Sequence, residues 1–143
     1  PGEPFSPEIK CDLICSTRAL EHFLTPLETL EFFKGPLKDG GGVYITVEDA
    51  FRLRSYSYPP GHSFSSEHLS HFSEDSLARL LEEAGYAVVD TTHHAYERPG
   101  GMLYPEIIVM AKKAEASPAK KYTPDYSLAE AVGGHAVMSD IVG

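Results

Sequence analysis

Apolar residues gather in this chain in short runs, and the spacing within each run changes from one to the next. Residues 11–16 form a near-continuous apolar run that gives way to Ser16 and Thr17. Such a run suits a strand buried on both faces, as in a parallel sheet. From Thr25 the spacing changes, with Leu27, Leu30 and Phe33 recurring every three residues. Pro26 stands at the first helical position and Glu28 completes a Thr-x-x-Glu capping box. Gly35 and Pro36 end this helix. Residues 38–42 (Lys, Asp, Gly, Gly, Gly) then predict a turn into a second strand over 43–47.

Residues 48–66 carry no period and hold Arg52, Arg54, Tyr56, Tyr58, Pro59 and Pro60. A loop of this length in a compact domain is a functional lid or an insert. A second helix starts with Ser73 as N-cap, with Glu74 and Asp75 in its first turn. Leu77, Leu80, Leu81 and Ala84 follow at helical spacing, and Gly85 closes the helix. Residues 86–92 and 106–112 read as two strands joined by a loop containing Pro99, Gly100 and Gly101. The first should run parallel to its predecessors; the last, reached without a helix, should pair antiparallel. Residues 1–10 read as a Pro-rich entry loop and 114–143 as a poorly ordered tail. The order is that of half an α/β layered domain.

Composition narrows the function classes. The 143 residues suffice for one domain with a core, and 42% hydrophobic content is ordinary for a globular protein. A formal charge of −9 argues against nucleic acid and against an anionic membrane surface. No apolar run approaches the ~20 residues a spanning helix needs. Cys11 and Cys15 are the two thiols; on one strand they lie roughly 13 Å apart, too far for a disulfide. Both are expected to be buried structural cysteines in a reducing, cytoplasmic setting.

Residues 11–22 carry the strongest functional signal. Ligands of open α/β sheets bind where parallel strands end, and here a strand ends in Ser16 and Thr17 with Glu21 and His22 close behind. The pieces Asp12, Leu13, Ile14; Leu20, Glu21, His22; Leu37 to Gly41; Glu67, His68, Leu69; and Phe72, Ser73 with Leu80 to Tyr86 follow in order. With them the chain resembles the C-terminal half of a class I S-adenosylmethionine-dependent methyltransferase, over about residues 5–112. The resemblance implies a partial Rossmann-like α/β sheet whose strands are the fourth to seventh of the order 3-2-1-4-5-7-6, the last antiparallel, with flanking helices. Residues 1–113 would form that half-domain and 114–143 the tail. The family's Gly-x-Gly-x-Gly turn and its ribose-binding acid have no counterpart here. The 143-residue chain alone is therefore expected to be an incomplete, inactive fragment that binds cofactor weakly or not at all.

Within the matched part, Arg18 stands where the family usually has His, Glu or a small residue; Asp39 and Glu48 each replace a common Pro. The resemblance places Ser16, Thr17 and Arg18 beside the methionine part of the cofactor, or leaves them an ordinary loop. His22, His68 and His71 are the candidate catalytic residues, against capping or surface roles. Glu21 is a candidate for acceptor binding or a plain helix-start acid. Arg52, Arg54 and Tyr56, alternating cationic and aromatic, could grip an acidic or sugar-like acceptor or simply cover the sheet edge. A metal centre from Glu21, His22, His62, His68 and His71 is not expected, because Arg18 occupies the place of the first carboxylate. His93 and His94 are expected to be solvated, and Glu82 and Glu83 to be surface charge. The leading expectation is methyl transfer to a small molecule. The alternative is a non-catalytic half-domain that dimerises through its first strand, or pairs with a missing N-terminal half.

Overall fold

The computed structural model describes residues 9–52 and 67–114. They form β1 (Cys11–Thr17), a 3-10 turn (Leu20–His22), α1 (Pro26–Phe33), β2 (Leu37–Glu48), α2 (Glu74–Glu83), β3 (Tyr86–Arg98) and β4 (Met102–Lys113). Arg54, Tyr56, Tyr58, His62 and the tail lie outside the described residues, apart from Ala114.

The four strands make one sheet in the order β1-β2-β4-β3. β1 pairs parallel with β2, and β4 lies antiparallel between β2 and β3. β3 therefore runs in the direction of β1 and β2 without pairing with either. This is the order that the resemblance implies: fourth, fifth, seventh, sixth.

One face of the sheet is dry. Val43, Ile45 and Val47 of β2 and Ile107, Val109 and Ala111 of β4 alternate onto it. Leu30 of α1 and Leu77 and Leu81 of α2 are buried against them. Tyr86, at the start of β3, ties the layers together: its buried hydroxyl donates to the Leu30 carbonyl at 2.8 Å, and burial pushes the phenol up to about 12. No helix among the described residues is long and apolar enough to cross a membrane.

α2 follows its sequence signals closely. Ser73 Oγ accepts from the Ser76 amide at 3.2 Å while Ser76 Oγ accepts from the Ser73 amide at 2.9 Å, a reciprocal box closed by a serine in place of Glu. Gly85 leaves the helix at φ 85°, a left-handed value that glycine adopts without steric cost. At α1 the expectation fails. Thr25 precedes the helix at ψ 73° and its side chain makes no cap, so Thr25 and Glu28 form no box.

Other expectations need correction. β1 is an edge strand, not one buried on both faces: Leu13 is 45% exposed, and of the two cysteines Cys15 is exposed and Cys11 partly buried. The stretch 38–42 lies within β2, which starts at Leu37. It bulges there, because two steps along β1 (Cys11 to Leu13) face the move from Leu37 to Gly42. The expected loop over 93–105 shrinks to 99–101, since β3 and β4 continue as a hairpin paired from His93↔Ile107 to Arg98↔Met102.

Candidate functional site

Polar burial in this fold is local. Among the described residues the buried polar side chains are Ser16, Glu21, Thr46, Glu48, Asp49 and Ser73. They belong to the carboxyl ends of β1 and β2 and to the segments that follow or return there. Burying a polar group costs free energy unless a partner compensates it, so their concentration at one edge makes it the candidate functional end of the sheet.

β1 delivers the first group. Ser16 is buried, and Thr17, its last residue, is exposed beside Thr46 of β2. Arg18 leaves the strand at φ 47°, a left-handed value that is uncommon for a residue with a side chain. Its amide donates to the Thr46 carbonyl at 2.8 Å and to Thr46 Oγ1 at 3.2 Å. The chain then turns through Leu20, which is fully buried and anchors the 3-10 turn in the core.

That turn aims Glu21 inward and His22 outward. Glu21 is 2% exposed, and its Oε2 has no hydrogen-bond partner. The Glu21 carbonyl accepts from the amides of Leu69 and Ser70 at 2.8 and 3.1 Å. His22 Nδ1 donates to the Glu67 carbonyl at 2.7 Å, which leaves Nε2 facing outward with a lone pair when the ring is neutral. A parallel bridge between Asp49 and Phe72 fixes the far end of the returning segment.

Three predicted histidines are thereby brought to one place. The His68 ring lies 4.9 Å from that of His22 and 6.3 Å from that of His71. His68 Nδ1 sits 3.3 Å from Glu48 Oε2, without hydrogen-bond alignment. Burial, and secondarily His68, lowers the pKa of His71, so its imidazole stays neutral and basic near pH 7. Burial raises Glu21, its own backbone hydrogen bond and the nearby histidines opposing. Tyr104 of β4, buried below, is raised by burial first and then by the charges of Glu48 and Glu21. The cluster can hold a cationic centre over two carboxylates and offer a neutral imidazole as proton acceptor.

The raised pKa of Glu21 makes a stability prediction. Above pH 4.5 the folded state holds this proton more tightly than the unfolded chain does. The stability it contributes is complete below that pH and is lost as pH rises through the raised folded value. Glu21→Gln cannot titrate, so its melting temperature relative to the native protein should climb as pH rises above 4.5 in thermal scans. A difference that stays constant with pH would contradict the buried-acid assignment.

Arg52 does not join the histidines. Its Nε lies 3.5 Å from Asp49 Oδ2, in a cleft of about 210 Å³ lined by Asp49, Phe51, Arg52, Ser73, Glu74, Asp75 and His93. His93 is half-buried there, contrary to the expected solvated side chain. Nδ1 is 2.9 Å from Asp49 Oδ2 and Nε2 is 2.8 Å from Glu74 Oε2. Glu82 and Glu83 are exposed, as expected. Sequence reading missed Asp49, His93 and Tyr104 as site residues; the signal it had was a pair of acids, Glu48 and Asp49, ending an apolar strand.

An open α/β sheet whose polar cleft lies at the carboxyl ends of its parallel strands defines the Rossmann-like class. The chain belongs to the methyltransferase-domain family, whose sequence model matches residues 2–91. No curated protein matches its sequence. Among solved structures it is similar to a SAM-dependent methyltransferase from Methanosarcina mazei, with 14% identity and a TM-score of 0.56 over 75% of this chain and 62% of that one. An S-adenosylmethionine-dependent methyltransferase from Mesorhizobium loti matches at 14% identity and 0.54, over 72% and 62%. A chain from the Haloferax volcanii complex of the Trm112 methyltransferase activator with its methyltransferase matches at 15% and 0.58, over 76% and 56%. At these identities the likeness is one of fold. The chain spans less than two thirds of the length of these three relatives.

Proposed function

We propose that this chain supplies the acceptor-side half of an S-adenosylmethionine-dependent methyltransferase acting on a small molecule. The observation that carries the reading is the gathering of buried polar groups at the carboxyl edge of β1 and β2, in a chain of the methyltransferase-domain family. The donor fits that edge. Its sulfonium is a cation, and the buried carboxyl groups of Glu21, whose Oε2 has no hydrogen-bond partner, and Glu48 lie beside the exposed end of β1. Ser16, Thr17 and the backbone of Arg18 would hold the methionine part. When bound, the group supplies an electrophilic methyl; the protein's tasks are to bind, align and exclude water.

In this reading Glu21 orients the acceptor, and His22, His68 and His71 surround the atom that receives the methyl. His71 accepts the acceptor's proton, because burial keeps its imidazole neutral. Calorimetric titration of S-adenosylhomocysteine against the full-length gene product should give saturable heat; none at high ligand concentration would refute the reading.

A second reading rests on the open edge of β1, where Ile9 and Leu13 are exposed. An unpaired, partly apolar edge favours strand addition, by a second copy or by another polypeptide, and one relative in the fold comparison comes from a complex with a protein activator. A concentration-independent monomer in sedimentation would count against self-association.

A further inference from the structure

We propose that His93 is a proton-dependent clasp. With both ring nitrogens protonated it ties the corner after β2 to the first turn of α2; on losing a proton it keeps Asp49 and releases Glu74. The ring stands in the middle of β3 and reaches both elements at once. Nδ1 lies 2.9 Å from Asp49 Oδ2, and Nε2, on the other side of the imidazole, lies 2.8 Å from Glu74 Oε2.

The dependence on a proton follows from counting donors. An ionised carboxylate only accepts, a neutral imidazole has one N–H, and an imidazolium has two. Asp49 is committed as an acceptor. Its Oδ1 takes the amides of Phe51 and Arg52, each at 3.2 Å, and its Oδ2 also faces Arg52 Nε at 3.5 Å. Both contacts of His93 are therefore donations only when the ring is charged. In the neutral ring one nitrogen would turn a lone pair on a carboxylate oxygen 2.8 or 2.9 Å away. Among the described residues, the charged groups lining this cleft with His93 are Asp49 and Arg52 from the corner and Glu74 and Asp75 from α2. Opposite His93 on β4 is Ile107, which carries no charge.

Burial decides which contact survives. The Asp49 side chain is 2% exposed and that of Glu74 is 53% exposed. An acceptor orphaned in the interior keeps its desolvation cost, whereas Glu74 can turn to water. The neutral ring therefore holds its proton on Nδ1, toward Asp49, and Glu74 leaves. Glu74 opens α2, next to Ser73, which caps the helix, and Phe72, which bridges to Asp49. The clasp thus braces the end of the segment that carries His68 and His71. It does so whether or not the chain transfers methyl groups.

The test is a pH titration of the native protein labelled with ¹⁵N in its histidine rings. It runs from about pH 5.5 to about pH 8.5, where imidazoles change charge and ordinary carboxylates do not. The His93 signals, assigned by their loss in His93→Gln, should show two ring N–H groups at the low end and the Nδ1–H tautomer at the high end. The stability that the clasp contributes is present while the ring is charged and is lost as pH rises through its titration. Glu74→Gln should accordingly melt several degrees below the native protein at the low end and at nearly the same temperature at the high end. In a His93→Gln background the same change should give no pH-dependent difference. A single ring N–H at the low end, or the Nε2–H tautomer at the high end, would overturn the proposal. So would a Glu74→Gln deficit equal at both ends, or one whose pH dependence survives in His93→Gln.

Discussion

Gly42→Ala should unfold this domain at markedly lower urea than the native protein, with a loss of ~3 kcal/mol. Gly42 faces Leu13 of β1 and Lys112 of β4, and a Cβ built there would lie 2.5 Å from the Ala111 carbonyl oxygen. That oxygen is backbone, in the strand that joins β2 to β3, and cannot rotate away. Relief requires β2 and β4 to separate, which would expose Val43 and Val109 of the core. Gly40 provides the control. It has φ 75° and open space around its Cβ position, so Gly40→Ala should cost about 1 kcal/mol through backbone strain alone. Comparable midpoints for the two variants would show that the β2–β4 contact is looser than described.

The largest effect on activity is expected at His71. A positioned general base contributes roughly 10²–10⁴-fold, and His71 is the histidine of the cluster that burial holds neutral. His71→Asn should lower kcat about 100-fold with KM nearly unchanged, in the absence of any loss of folded protein by circular dichroism. The pH profile gives an independent readout. A base must be unprotonated to act, and the His71 pKa is lowered from 6.5, so native activity should persist below pH 6.5 before it falls. An acid limb at or above that value, or full activity in the variant, would assign the base elsewhere.

How much of this was legible in the chain depends on range. α2 could be read because its determinants are local: Ser73 caps it, Leu77 and Leu81 share one face, and Gly85 ends it. The strand after Gly42 was legible for the same reason, as an unbroken apolar run. The hairpin was not. Thr92, His93 and His94 look like a strand end, and Pro105 looks like a breaker; yet Pro105 needs no amide hydrogen there, and its carbonyl accepts from Asp49 at 3.0 Å. Thr25 misled in the opposite direction, because a capping pattern in sequence does not fix the ψ that capping needs.

The site divides in the same way. Ser16 to His22 sits at the carboxyl edge of a parallel strand, a place that follows from sheet topology alone. The meeting of His22 with His68 depends on a segment returning through the Asp49–Phe72 bridge, which no local pattern encodes. The pairing of His93 with Asp49 spans 44 positions, and that of Arg18 with Tyr96 spans 78. Both were invisible for want of the fold that joins them.

Photolabelling the native protein with S-adenosylmethionine tritiated in its methyl group, followed by peptide mapping, tests most directly whether the end of β1 faces the methyl donor. Label should appear on the peptide containing Ser16, Thr17 and Arg18 and should be suppressed by excess S-adenosylhomocysteine. Label confined to the outer faces of α1 and α2, or undiminished by the competitor, would contradict it.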